Sequence, residues 1–263
     1  MTTAKMPALF VGHGNPMNAL DAGNLYNTGF RETSAGFAKP KWILCISAHW
    51  YSSRLQVTGA AQPPMIYDFH GFPEALSQVQ YPAPGSPEAA ETVRRLLAPA
   101  DAAVNPSRGF DHGAWAVLKH LYPEADIPVI QLSLQRSLSA REHFELAKKL
   151  RPLREEGVLI LGSGDIVHNL RAVSFAHIDQ IGAGYDWAYR FRDAVNRAIE
   201  TGDSEALIDF ERFGEDARLS VPTPEHYLPL LYVMAQYEQG EAVRLFNDVL
   251  VGGSVSMTSV QIG

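Results

Sequence analysis

Short apolar runs punctuate the chain at Ala8–Val11, Trp42–Ser47, Leu55–Thr58, Pro128–Leu134 and Val158–Leu161. Each has the length of a buried strand and is bounded by Gly, Pro or Ser. Helix signals lie between several of them. Ser86 is placed to cap a helix whose first position is Pro87 and whose first turn carries Glu88, ahead of AAETVRRLLA. Ser139 and Glu142 have the spacing of a capping box ahead of HFELAKKL. Further helices are expected from about Tyr185 to Glu200, about Ser204 to Glu211 and about His226 to Tyr237. This alternation predicts an α/β fold: a mainly parallel, mixed central sheet with helices on both faces, in three α/β/α layers. The Pro-rich stretches AQPPMIYDF and YPAPGSP read as ordered loops, which in a compact enzyme often shape the site.

Composition narrows the reading. With 263 residues, 46% of them hydrophobic, the chain can bury a large core, and residues 1–263 are expected to form a single domain. The formal net charge is −7 and no block of like charge occurs, so a nucleic-acid footprint is absent. The single cysteine, Cys45, lies inside the apolar run WILCIS, which reads as a small buried side chain and suits a reducing compartment. No apolar run approaches the ~20 residues that span a bilayer, and MTTAKMPALF lacks the apolar core of a signal peptide, so a cytoplasmic, membrane-free protein is expected.

Candidate chemistry lies in the histidines. Apolar ALFV is followed by Gly12-His13-Gly14, apolar WILCISA by His49, and apolar VLILGSG, a few residues on, by His168. Three expected strands thus each deliver an imidazole near the carboxyl end, where open α/β sheets bind their ligands. Any one such histidine is most simply a hydrogen-bonded structural residue; three together point to a metal. The glycines on either side of His13 permit a positive φ or a close backbone approach. His112 stands between Asp111 and Gly113 before an apolar helix, and His226 opens the last amphipathic segment, TPEHY. Asp111 reads equally as a cap and as a partner that orients His112. His120, His143 and His177 read as surface or core-edge residues, and His70 as a rim or lid residue.

The segments GHGNP, SAHW, FDHGAW, SGDIVHNL and PTPEHYLPLLY, in that order, carry a resemblance. With YDFHGFP, YPAPGSP and the C-terminal SVSMTSVQIG, they resemble the 4,5-DOPA extradiol dioxygenase branch of the class III ring-cleaving dioxygenases over nearly the whole chain. The resemblance implies a non-haem Fe(II) enzyme of α/β/α architecture that opens a catechol ring, such as that of DOPA, beside its two hydroxyls with O₂. It also implies that zinc can occupy the same position. By the same resemblance His13 and His49 match metal histidines and His226 the late ligand. His168 matches a fourth histidine at the metal or just beside it, as ligand or base, and His112 the acid/base histidine.

Extradiol enzymes usually hold iron by two histidines and one carboxylate. Here the late position is His226 with Glu225 beside it; the motif favours His226, and Glu225 is the alternative. In the mechanism this implies, the metal lowers a catechol hydroxyl's pKa, His168 accepts the other proton, and His112 hydrogen-bonds or protonates the oxygen species. Zinc cannot pass electrons, so a zinc form should bind catechol without oxidising it. Two other functions fit the same histidines. A zinc hydrolase would use Glu225 or Asp165 as base, and a non-enzymatic Memo-like binding protein would have no need of an intact metal cluster. Oligomeric state leaves no mark in the sequence.

Overall fold

The computed structural model describes residues 5–178 and 180–263. Six strands precede the long helical stretch: Ala8–Gly12 (β1), Trp42–Ser52 (β2), Gln56–Thr58 (β3), Ala103–Asn105 (β4), Val129–Gln135 (β5) and Val158–Gly164 (β6). Four follow it: Val243–Phe246 (β7), Leu250–Val251 (β8), Val255–Ser256 (β9) and Ser259–Ile262 (β10). An eight-stranded sheet has the order β4-β3-β5-β2-β6-β1-β10-β7, and β8 and β9 form a small hairpin. The four central strands β5, β2, β6 and β1 run parallel, so their carboxyl ends share one edge. β10 pairs antiparallel with β1, and β7 with β10, which makes the sheet mixed.

The central strands are buried on both faces, and successive side chains feed two cores. Ala8, Phe10, Leu44, Ile46, Ile130, Leu132 and Ile160 point to one, with Val93, Phe144, Phe191 and Leu231 from the helices. Leu9, Val11, Ile43, Cys45, Val129, Leu159 and Leu161 point to the other, with Phe30, Trp115 and Leu118. The expected caps form. Ser86 caps helix Pro87–Leu96, and Ser139 and Glu142 make a reciprocal capping box on helix Ala140–Lys148. Tyr185 is the N-cap residue of helix Asp186–Thr201. The segment expected as one helix from Ser204 to Glu211 divides into helix Ser204–Ile208 and a 3₁₀ turn, Phe210–Phe213.

Two elements near the site differ from the sequence expectation. β2 continues past Ser47 to Ser52, so His49 lies within a strand; the pairing with β5 breaks between Ile46 and Tyr51, and that irregularity frees the segment around His49 to turn inward. His226 ends a 3₁₀ turn, Pro224–His226, ahead of helix Leu228–Met234, because Pro229 admits a helix only near its start. Among the described residues no helix is long and apolar enough to cross a membrane.

Candidate metal centre

His13 follows directly on β1, and both flanking glycines are required. A Cβ on Gly12 would stand 2.5 Å from the Met257 carbonyl carbon, and Gly14 has φ +56°. The His13 backbone N–H continues the ladder by donating to Gly164 O at 3.1 Å. Its ring Nδ1 lies 3.0 Å from Ser163 Oγ, whose hydroxyl donates to Gly113 O at 2.5 Å. With its only proton given away, Ser163 can only accept from the ring, so Nδ1 carries the proton of neutral His13 and Nε2 presents a bare lone pair. That Nε2 lies 3.2 Å from His49 Nε2. The other nitrogen of His49, Nδ1, faces Asp68 Oδ2 at 3.4 Å.

His226 completes a triangle. Its ring centroid is 5.3 Å from that of His13 and 5.2 Å from that of His49. One nitrogen from each of these three rings lies within 4.8 Å of the others. Both His226 nitrogens are buried without a hydrogen-bond partner. Gly164 lets the His226 turn sit against the end of β6, since a Cβ there would meet His226 O at 2.1 Å. His168 stacks face to face on His226, centroids 3.5 Å apart and planes within 9°. Its backbone N–H donates to Ser220 O at 2.9 Å, and His168 makes an isolated bridge to Val255.

His112 opens helix His112–Leu121, with Asp111 as its N-cap accepting from Ala114 N. The His112 ring lies 3.9 Å from that of His49, centroid to centroid. Asp68 Oδ1 accepts from His112 Nδ1 at 2.8 Å and from its backbone N–H at 3.0 Å. Asp68 is held in place by its own loop: Ile66 O accepts from Trp115 Nε1 at 3.0 Å, and Tyr67 Oη donates to Val79 O at 2.7 Å. Burial opposes the Asp68 charge, but the hydrogen bonds and charge of His112 outweigh it and bring the carboxyl down to about 2.

The electrostatics follow from packing imidazoles away from water. Burial, followed by mutual repulsion, holds His13 and His226 well below the usual histidine range. Burial is likewise the largest cause at His49 and His168, both brought down to about 4. Asp165, fully buried, is pushed well above the usual carboxyl range by desolvation. Neutral imidazoles with bare nitrogens turned toward one another repel unless a cation lies between them. The donor set therefore fits a divalent metal, for which imidazole nitrogen suits both iron and zinc.

Comparison with known proteins agrees with this geometry. Residues 8–208 match the family described as the catalytic LigB subunit of aromatic ring-opening dioxygenase. The chain belongs to this family. It is 43% identical to the 4,5-DOPA dioxygenase extradiol of Escherichia coli K12, an alignment covering 100% of this chain and 97% of that one. To the 4,5-DOPA dioxygenase extradiol of Beta vulgaris it is 38% identical, over 95% of this chain and 94% of the other. The crystal structure of an uncharacterized Escherichia coli K12 protein superposes with a TM-score of 0.86 at 39% identity, over 98% of this chain and all of that one. The fold is thus that of a ring-opening dioxygenase of this family, with a mainly parallel sheet between helical layers.

Of the histidines read from sequence, His13, His49, His112, His168 and His226 come together at the carboxyl edge of the sheet. His70 and His177 are exposed. His120 and His143, expected at the surface or core edge, are buried. His143 is a core residue whose Nε2 meets Gln135 O at 3.1 Å and whose Nδ1 meets Tyr232 Oη at 3.0 Å. Glu225 accepts from Thr223 Oγ1 at 2.8 Å, with its Oε1 3.4 Å from His226 Nδ1. Two polar partners escaped the sequence reading. Asp68 sits in YDFHGFP, where the flanking aromatics are the louder signal, and Ser163 sits in an unbroken buried strand.

Proposed function

We propose that residues 1–263 form one catalytic domain that opens a catechol such as DOPA by 4,5-extradiol cleavage with O₂, using Fe(II) held by His13, His49 and His226. One observation carries the reading: three imidazoles, those of His13 and His226 buried and that of His49 half-buried, bring ring nitrogens together, in a chain of the ring-opening dioxygenase family. The names of the relatives support DOPA as the substrate. A bound Fe(II) supplies Lewis acidity toward the catechol oxygens and a path for electrons between ring and O₂; Zn(II) supplies only the former.

The chain's own residues do the rest. His168 would act beside the metal and not as a ligand in this reading: imidazole lone pairs lie in the ring plane, and the rings of His168 and His226 lie in near-parallel planes 3.5 Å apart, so the two do not aim lone pairs at one point. His168 is neutral at pH 7 and takes the proton of a substrate hydroxyl at a ring nitrogen. His112, its Nδ1–H turned to Asp68, presents Nε2 to the site. A proton passes through that nitrogen, and the Asp68 carboxylate offsets the charge of the imidazolium. Phe69, edge-on to His112 with centroids 5.7 Å apart, gives the catechol an apolar wall that excludes water.

The test is anaerobic Fe(II) loading followed by exposure to DOPA and other catechols, with oxygen uptake and product absorbance recorded. Uptake coupled to a ring-opened product is expected with Fe(II) and none with Zn(II), which should still retain catechol. Hydrolytic turnover by the zinc form without oxygen uptake would overturn the reading. The proposed substrate is a small molecule, and the proposed setting is the cytoplasm.

A further inference from the structure

We infer that the Asp165 carboxylate is a fourth donor to the cation held by His13, His49 and His226, so that the centre's oxygen ligand comes from the end of β6 and not from Glu225. The inference rests on the proposed site and adds the donor that sets its charge. Two aspartates at this edge of the sheet, Asp111 and Asp165, are fully buried. Asp111 is saturated. Its Oδ1 accepts from Ser47 Oγ at 2.7 Å and Ala114 N at 3.2 Å, and its Oδ2 from Gln131 Nε2 at 2.9 Å and Arg108 Nη2 at 3.3 Å. Asp165 Oδ1 accepts from Gly14 N at 3.1 Å, but Oδ2 is buried with no donor at all.

What Oδ2 faces is His13 Nε2, at 3.5 Å. The Ser163 contact places the His13 proton on Nδ1, so this approach turns a lone pair toward a carboxyl oxygen, with room between them for a proton on Asp165 or for the cation that displaces it. Metal–ligand bonds of ~2.0–2.2 Å put neighbouring donors roughly 2.8–3.6 Å apart across octahedral and tetrahedral sites. The 3.5 Å between His13 Nε2 and Asp165 Oδ2, and the 3.2 Å between His13 Nε2 and His49 Nε2, are both such edges. A carboxylate oxygen of Asp165 also lies within 4.8 Å of ring nitrogens of His226 and His168, a second donor set that shares His226 with the first. The placement is rigid, because the Asp165 backbone N–H donates to His226 O at 2.9 Å. Glu225 Oε1 also comes within 3.4 Å of a His226 nitrogen, but it already accepts from Thr223 Oγ1 and its side chain is 23% exposed, whereas Asp165 Oδ2 is buried with no donor. A carboxylate among three neutral imidazoles lowers the centre's charge from +2 to +1, restoring the oxygen donor usual for non-haem iron.

The experiment titrates metal-free protein with Zn(II) and Co(II) against a chromophoric chelator, for the parent and for Asp165→Asn, Glu225→Gln and His13→Ala. Asparagine keeps an oxygen for Gly14 N but offers no anionic donor. Asp165→Asn should weaken Zn(II) binding by about 10–100-fold or more, the scale found even for groups that only support a ligand, and should change the visible Co(II) spectrum. Glu225→Gln should bind within twofold of the parent. In the unsubstituted protein, Zn(II) should move the ¹³C resonance of a buried aspartate carboxyl, a readout that does not depend on any variant folding. Unchanged affinity and Co(II) spectrum in Asp165→Asn, or no moving carboxyl resonance, overturns the inference. If His13→Ala loses metal in that same experiment, the histidine site stands and Asp165 alone is excluded; if His13→Ala keeps metal, the site itself falls.

Discussion

The two ends of β1 and β6 are equally dry and chemically opposite. At the amino ends sits Arg154, 1% exposed. Its guanidinium has five N–H groups, and all are used. Nε donates to Met6 O, Nη1 to Gln236 O and Glu241 Oε2, and Nη2 to Glu241 Oε1 and Ile262 O. At the carboxyl ends sit His13, Asp165 and, against them, His226, where both nitrogens of His226 and one oxygen of Asp165 have no partner. Buried polar groups are almost always satisfied, so an unsatisfied cluster marks a place where the chain lacks a component. The closed end fastens the segments leading into β1 and β6 to the last strand; the open end is built to receive a cation.

The largest effect expected on this contrast is at the open end. His13→Ala or His49→Ala should abolish metal binding and turnover, measured as bound metal and oxygen uptake, while the urea midpoint of the metal-free protein stays near that of the parent. Next comes His112→Ala, which should retain metal and catechol binding and lose about 10²–10⁴-fold in single-turnover rate. Loss of the metal would instead make His112 a ligand, and an undiminished rate would remove it from the mechanism.

The closed end should respond in the reverse sense. Arg154→Ala leaves the carbonyls of Met6, Gln236 and Ile262 without the donor it supplies and Glu241 with only Lys5 and the Glu238 N–H, and breaking a pair whose arginine is buried costs about 3–5 kcal/mol. Urea unfolding should show that loss, with metal affinity of the folded fraction unchanged. A variant that kept its stability but lost metal would erase the distinction between the two ends.

The smallest effect concerns a histidine that is closed rather than open. Burial brings His143 down to about 4, so the folded protein keeps it neutral where the unfolded chain, with its usual 6.5, takes up a proton. Its contribution is intact above pH 6.5 and is lost as pH falls from 6.5 toward 4, by up to ~3 kcal/mol. The drop in urea midpoint between pH 7 and pH 4.5 should be smaller in His143→Gln than in the parent; an equal drop would refute the assignment.

Periodicity and caps were enough to read the central strands, the helices after Ser86 and Ser139, and the gathering of His13, His49 and His168 at one edge. The late strands β7 and β10 went unread, because their sequence carries no long apolar run and they find their place only by pairing, β10 with β1 and β7 with β10. His143 was misjudged since a histidine at a helical position gives no local sign of whether Tyr232 and Gln135 are waiting for it.

The sequence by itself determined the parts that depend on neighbours along the chain: which runs are strands, where helices start, and which imidazoles end up near the carboxyl edge. Tertiary structure alone decided how those parts meet. Ser163 sets the His13 proton, Asp68 turns His112, and His168 lies flat on His226, contacts separated by 150, 44 and 58 residues respectively in the chain. Hydrogen-bond partners and ring planes are set by folding strands and loops from distant segments into one space. Local residue order encodes each group's chemistry but not the atom that faces it.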